Sequence, residues 1–477
     1  MNLAKSDRRG HHLGRMAAVV VLAGGAVVAG AAGAHAADLP VKAKAAEYVK
    51  VCAAYGPGFY YIPGSDTCLK IGGYIWLGVM ANATESFNPQ ISNETLSDRL
   101  VADDTVNKLN SRVRAIAQFD ARNQTEYGTL RAFVGVGANL DSWAGTNGST
   151  QVDLQNGFIQ FAGFTAGYTT SVFQPNLNYM FTNPFTQMNR KVNLLSYTTQ
   201  FSNGFSASVA VEDSRQHGVM NAQGLGPTIA ALHPTDVNVR GGSQAPDVVG
   251  SLRLEQAWGL AQLSLAAHQS RVAYNAATFQ NSTDSWGWAI GGSLEFKLPQ
   301  LGEGDSIFVT AAYGDGAMNY VGFSGSDRTG SLATQFGRVD GSGFGAFYQL
   351  SDVVYNDVTG GFDSTKAWSI TGQFRHFWTP GLRSAVLGGY VHVDAPDSAY
   401  AFQNGFVNFD IWQLGFNTVW SPVRNLDIGA EVLYSKVESG KASGYNLAQQ
   451  NLAITKNQAY GGSTDLVSAA LKIQRSF

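Results

Sequence analysis

Residues 112–122 read Arg112-Val113-Arg114-Ala115-Ile116-Ala117-Gln118-Phe119-Asp120-Ala121-Arg122. Successive side chains of a β-strand point to opposite faces. Extended, this stretch puts Val113, Ala115, Ala117, Phe119 and Ala121 on one face. Arg112, Arg114, Gln118, Asp120 and Arg122 fall on the other. The same alternation recurs in Ser206–Glu212 and in Trp286–Lys297, where Trp286, Trp288, Ile290, Leu294 and Phe296 oppose Ala289, Ser293, Glu295 and Lys297. From Lys70 onward the chain consists of segments of about ten residues of this kind separated by turn residues, the pattern of a transmembrane barrel.

Composition agrees. The chain has 477 residues, of which 14% are charged, 44% hydrophobic and 12% aromatic, with 55 Gly. Average soluble domains carry roughly 25% charge and about 7% Gly. A helical enzyme with a charged exterior does not fit. Mean hydropathy is −0.08, too low for a bundle of membrane helices, each of which needs about 20 mostly apolar residues. Aromatic content and a near-zero net charge also exclude a disordered chain.

One long apolar run exists, Met16–Ala34. It follows Lys5, Arg8, Arg9 and Arg15 and ends in Ala34-His35-Ala36. A basic region, an apolar region and an A-x-A site predict a signal peptide over residues 1–36. That segment holds four of the 32 Lys and Arg and one of the 35 Asp and Glu, so the remainder has 28 basic and 34 acidic side chains, net −6. Such a balance gives no reason to expect nucleic-acid binding. The two Cys, Cys52 and Cys68, form an even pair in an exported chain and are expected to be disulfide-bonded. Residues 37–69 are then a disulfide-closed periplasmic segment, and 70–477 the barrel. Export combined with amphipathic strands points to the outer membrane of a Gram-negative cell.

Turn residues mark seven short connections, at Gln124–Gly128, Gly163, Ser202–Gly204, Trp258-Gly259, Pro299–Asp305, Thr379–Leu382 and Ser421–Asn425. Eight long ones lie near 81–110, 140–155, 174–190, 214–246, 273–285, 315–365, 395–407 and 439–463. Together they require sixteen strands in an all-β antiparallel barrel. An even number, with short periplasmic turns and long external loops, matches bacterial barrels. Within 315–365, Phe344–Val354 is either an extra strand or a structured piece of loop. Trp368 and Trp378 share one face of a strand, as do Trp412 and Trp420. Ten residues at about 3.3 Å each, tilted about 40°, rise roughly 25 Å, the separation of two aromatic girdles. The chain ends on an amphipathic segment, with Val467, Ala469, Leu471 and Ile473 on one face, and stops at Phe477.

Four blocks resemble the general-diffusion porins of alpha-proteobacteria. The first runs from Tyr48-Val49-Lys50-Val51-Cys52-Ala53-Ala54-Tyr55-Gly56 through Gly58-Phe59-Tyr60-Tyr61-Ile62-Pro63-Gly64 to Thr67-Cys68-Leu69. The second extends from Arg112 to Thr125-Glu126-Tyr127-Gly128-Thr129-Leu130-Arg131. The third is Phe158-Ile159-Gln160-Phe161-Ala162-Gly163-Phe164-Thr165-Ala166-Gly167, and the fourth the terminal strand. The resemblance implies a homotrimer of sixteen-stranded barrels in outer-membrane lipid and lipopolysaccharide. It also implies a third external loop folded into the lumen, and a terminal Phe read by the barrel-assembly machinery.

That third loop is 174–190, and Asn176, Asn178, Tyr179, Phe181 and Phe185 are its expected constriction residues. Porin constrictions set loop acids against wall bases. Here the wall half is present: Arg112, Arg114, Arg122 and Arg131 form an inward basic stripe. The loop half is missing, because no Asp or Glu occurs between Asp153 and Glu212. Asp120 and Glu212 are the candidate counter-charges on strands. Two readings of the stripe stay open: a basic eyelet wall that favours anions, and an inward polar face neutralised by wall acids.

Enzymatic signatures are absent. His217, His233, His268, His376 and His392 form no H-E-x-x-H pattern. There is neither a G-x-S-x-G elbow nor a phosphate-binding loop. No metal or cofactor is expected. The expected function is passive diffusion of small hydrophilic solutes and ions. A solute-selective, sugar-type channel with Tyr179, Phe181 and Phe185 as a stacking surface is the alternative, and a surface adhesin is a third class.

Overall fold

The computed structural model describes residues 50–81, 109–142, 150–175, 177–224, 242–273, 282–322, 350–356, 361–396, 408–442 and 460–477, with short pieces between 334 and 349. The expected signal peptide lies outside them. Sixteen strands form the barrel. In order they are β1 Cys68–Ala81, β2 Leu109–Thr125, β3 Gly128–Asp141, β4 Thr150–Phe161, β5 Phe164–Thr170, β6 Lys191–Gln200, β7 Phe205–Glu212 and β8 Asp247–Gln256. The second half comprises β9 Gly259–Ala273, β10 Ser282–Lys297, β11 Ser306–Asp315, β12 Lys366–Thr379, β13 Leu382–Asp394, β14 Phe409–Val423, β15 Leu426–Ala442 and β16 Tyr460–Ser476.

Each strand pairs antiparallel with its sequence neighbour, and β16 closes on β1 with Tyr74 opposite Ser476 and Ala81 opposite Ala469. Two backbone bonds between Gly73 and Phe477 extend the closure to the last residue. Closure leaves no edge strand, as hydrocarbon demands, since an unpaired N–H or C=O there costs several kcal/mol.

Alternation sets the two faces. Outward positions such as Ile75 and Leu77 on β1, Trp368 and Ile370 on β12, and Leu414 and Phe416 on β14 are large, apolar and exposed. Their neighbours Trp76, Thr371 and Gln413 point into the lumen and are buried. Trp378, Trp412 and Trp420 also face outward. The tight turns carry the expected chemistry. Between β4 and β5, Ala162 and Gly163 both take positive φ, 48° and 87°, as a two-residue hairpin requires. A Cβ on Gly163 would stand 2.8 Å from the Thr198 carbonyl oxygen.

The segment Phe344–Val354 is not an extra barrel strand. Ser351–Asn356 pairs with Gly361–Ser364 and, in parallel, with Met220–Gly224 in a separate three-stranded sheet.

Cys52 and Cys68 are bonded. With Phe59 they make a small core against which Tyr55 and Tyr61 pack. Tyr60–Tyr61 adds a short strand to the start of β1, at the short-turn end of the barrel. The Arg122 guanidinium stacks over Phe59, 4.9 Å from its centroid. Because the bridge closes a short loop, its removal should cost about 3 kcal/mol. That cost falls on residues 50–67 rather than on the barrel. Cys52→Ser/Cys68→Ser is expected to expose this segment to limited chymotrypsin digestion while the barrel stays resistant. Cleavage no faster than in the native protein would contradict this.

Candidate functional site

The connection between β5 and β6 runs along the inner wall. Its anchors are side chains of lumen parity on three distant strands. Gln373 of β12 accepts from the Tyr179 amide at 2.7 Å, and Gln413 of β14 from the Phe185 amide at 2.7 Å. Asn417 donates to the Tyr179 carbonyl at 2.9 Å. Thr371 donates to the Thr186 carbonyl at 2.8 Å. Glu431 of β15 is the hub: it accepts from the Phe181 amide at 2.5 Å and from the Thr182 hydroxyl at 2.7 Å and amide at 3.3 Å.

Apolar contacts follow the same track. Met180 packs on Ala385, Leu387 and Leu433, and Phe181 on Met80 and Ala470. Glycine makes the seat. A Cβ on Gly389 would lie 2.1 Å from the Thr186 hydroxyl, on Gly415 2.7 Å from Met180, on Gly429 2.4 Å from Phe181 and on Gly291 2.7 Å from Phe173. All four are inward positions, so part of the glycine excess lets a loop lie flat against the wall.

The aromatic residues are taken up by this docking. The Tyr179 hydroxyl donates to Glu295 at 2.9 Å and accepts from Ser306 at 2.7 Å. Burial, reinforced by the Glu295 carboxylate, pushes its pKa up to about 12. It therefore stays a neutral donor at any physiological pH. Phe185 is buried. Asn178 braces the loop internally through the Thr182 carbonyl and Asn183. Asn176 lies outside the described residues.

A second segment enters the lumen, from the connection 315–365 that the sequence places outside. Met318 and Val321, with Val219 and Leu350, pack on Ala367, Val391, Val393, Phe409, Ile411 and Val437 of the inner wall. Tyr320 meets Phe173 of the first segment, ring centroids 4.8 Å apart. The apolar run Ala317-Met318-Asn319-Tyr320-Val321 inside an otherwise polar connection was the available signal.

Beneath these segments lies a buried polar network. Glu212 accepts from Ser171 and from the Val172 amide, both at 3.1 Å, and contacts His217 Nε2 at 2.6 Å. His217 stacks on Tyr320, whose hydroxyl donates to Asp247 at 2.7 Å. Burial and the neighbouring carboxylates Asp247 and Glu212 hold the Tyr320 hydroxyl protonated, its pKa far above the ordinary value. His268 bridges Asp247 at 2.8 Å and Asp352 at 3.6 Å. Glu212, one of the two anticipated counter-charges, thus serves loop and histidine instead of the arginine stripe.

Each arginine of the stripe faces a carboxylate, four guanidiniums to three acids. Arg112 makes a two-pronged pair with Asp141, 2.6 and 2.7 Å. Arg114 lies 3.9 Å from Asp153. Asp120 accepts from both Arg122 and Arg131, at 2.7–3.0 Å. Of the two readings left open by the sequence, this geometry corresponds to the inward polar face with its own acids.

Cations not so engaged are found elsewhere. Below the loop tip, toward the short turns, a recess of about 250 Å³ is lined by Tyr179, Phe181, Arg375, Arg383, Asp427 and Lys472, among others.

Comparison with known proteins bears on this arrangement. The family model of the Porin subfamily matches residues 38–463. Porin Omp2b of Brucella suis is 28% identical over 323 residues, covering 59% of this chain and 80% of that protein. Porin Omp2b of Brucella abortus (strain 2308) is 27% identical over 320 residues, with 59% and 81% covered. Among solved structures, the outer membrane channel DcaP of Acinetobacter baumannii superposes with a TM-score of 0.59 at 15% identity, over 87% of this chain and 99% of that one. That last likeness speaks to the fold alone.

Proposed function

The chain belongs to the Porin subfamily, and on that premise we propose how its barrel controls what passes. It is an outer-membrane porin, a water-filled channel through which small hydrophilic solutes and ions diffuse passively. The 171–190 loop sets the size limit. The observation that carries this reading is its anchoring to wall residues as distant in sequence as Glu431 and Gln413. A loop held by so many bonds to the wall makes a fixed constriction, and no step of catalysis enters.

Single-channel recording of the purified protein in a planar bilayer tests this. Discrete conductance steps with ohmic current are expected. A barrel that inserts without conducting would overturn the reading.

The aromatics Tyr179, Phe181 and Phe185 serve to dock the loop, so the reading favours general diffusion over a sugar-stacking site. The outward faces of β1 and β16, exposed and apolar at Ile71, Ile75, Leu77, Leu471 and Ile473, are the proposed trimer contact. Phe477, exposed at the end of the closing strand, is the proposed recognition point for assembly. Residues 37–69, closed by the Cys52–Cys68 disulfide, are the proposed periplasmic segment.

Paired charges in the wall carry a further expectation. In Asp120→Asn, Arg122 and Arg131 lose their shared carboxylate. Even at the dielectric constant of bulk water a unit charge acts on an ion 4 Å away by about 1 kcal/mol. The chloride-to-potassium permeability ratio should therefore rise about twofold or more in a KCl gradient. An unchanged reversal potential would mean that these arginines lie outside the ion path.

A further inference from the structure

We propose that the recess below the loop tip is a binding site for small organic carboxylates, with Arg375 and Lys472 as the anion-holding groups. This rests on the reading of the protein as an open diffusion channel, and adds a substrate class to it.

Charge comes first. Three cations, Arg375, Arg383 and Lys472, line the recess with one carboxylate, Asp427. Arg383 and Asp427 pair at 2.7 Å. Among the described residues neither Arg375 nor Lys472 has a carboxylate within 4 Å. Among the described residues Arg375 donates to the Gly304 carbonyl at 3.1 Å and to Ser306 at 3.3 Å. Three further carboxylates border the site, and each is committed. Asp305, between the two residues that Arg375 bonds, takes His376 and the Phe377 amide. Glu431 is buried behind the loop, bonded to Phe181 and Thr182. Glu295 takes the Tyr179 hydroxyl.

Shape and chemistry come second. The Arg375 guanidinium lies over the Tyr179 ring at 4.5 Å from its centroid. Lys472 sits between Trp76 and Phe181, at 5.3 and 5.5 Å from their centroids. Both cations are held on aromatic faces, a contact that fixes a cation without neutralising it. A guanidinium fork matches a carboxylate in two parallel bonds. The Phe181 and Val419 side chains supply an apolar wall beside it. A volume of about 250 Å³ is just below the roughly 300–1,000 Å³ of drug-sized sites, so the occupant is small. A flat carboxylate fits this combination, whereas a hydrated inorganic anion would leave the aromatic wall unused. The recess lies on the short-turn side of the constriction, so a solute meets it on leaving the narrow part for the periplasm.

The probe is benzoate, with benzylamine as the cation of like shape, added to the purified full chain conducting KCl in a planar bilayer. Benzoate is expected to interrupt the current at millimolar concentration and benzylamine to require at least tenfold more. Arg375→Gln/Lys472→Gln should raise the half-blocking benzoate concentration tenfold or more while KCl conductance persists. Equal block by both probes in the native protein would overturn the site without recourse to any variant. Undiminished benzoate block in the double variant would overturn the assignment to Arg375 and Lys472. In both cases a normal KCl conductance leaves the channel reading standing. Loss of all KCl conductance in the native protein would remove that reading and the site with it.

Discussion

Glu431→Ala should increase single-channel conductance and make it noisier. Glu431 holds the tip of the 171–190 loop through the amides of Phe181 and Thr182 and the Thr182 hydroxyl. Hydrogen bonds to a charged acceptor are worth about 1.5–3 kcal/mol each, and donors left buried without a partner carry their own penalty. Losing three such bonds at one side chain should weaken tip docking by more than about 3 kcal/mol, over a hundredfold in the docked-to-undocked ratio. Met180 and Phe181 would still rest on the wall, so the loop should come loose at its tip and stay attached at Phe185 and Thr186. Glu431→Gln keeps one acceptor oxygen and should give an intermediate conductance. Unchanged conductance in Glu431→Ala would show that Gln373, Gln413 and Thr371 fix the tip unaided.

Which parts of this were legible in the sequence follows from what alternation encodes. Period-2 patterning reports the face of a residue and, by its interruptions, the number of strands. It therefore located the short turns from Gln124–Gly128 to Ser421–Asn425, the outward tryptophans and the inward arginines. Alternation carries no register. Arg112 meets Asp141 across the β2–β3 pairing, and Asp120 is shared only because Arg131 lies diagonally opposite on β3. Those neutralising partners become visible once strands are aligned. Docking of the loop is harder still, since Glu431 lies some 250 residues from the amide it binds. A lone inward Glu on a strand looks the same whether it faces water or a loop. The glycines gave a clue of another kind. At Gly389, Gly415 and Gly429 they mark where the wall must be thin, but composition counts them together with turn glycines.

Removing His268 should be the most damaging single change in the external half of the lumen. Its ring stands between Asp247 and Asp352, and all three side chains are buried. In His268→Ala, Asp247 retains the Tyr320 hydroxyl, and Asp352 retains the amides of Met318 and Val219, at 2.8 and 3.0 Å. Two buried carboxylates would then lose the group that bridges them. Breaking a buried pair on one side costs about 3–5 kcal/mol. Because Tyr320, Met318 and Val219 belong to connections and not to barrel strands, that cost should appear as loosening of 213–224 and 316–322. Faster proteolysis within those stretches and a lower first transition on heating are the expected readings, with the barrel band still resistant. Adding Asp247→Asn removes one of the stranded charges. The double variant should therefore lose less stability than the two single losses combined, by an amount that reports the His268–Asp247 coupling. If the losses simply add, the two groups are not coupled, and the loops are held by the Asp352 bonds to Met318 and Val219 and by apolar contacts with Val391, Phe409 and Ile411.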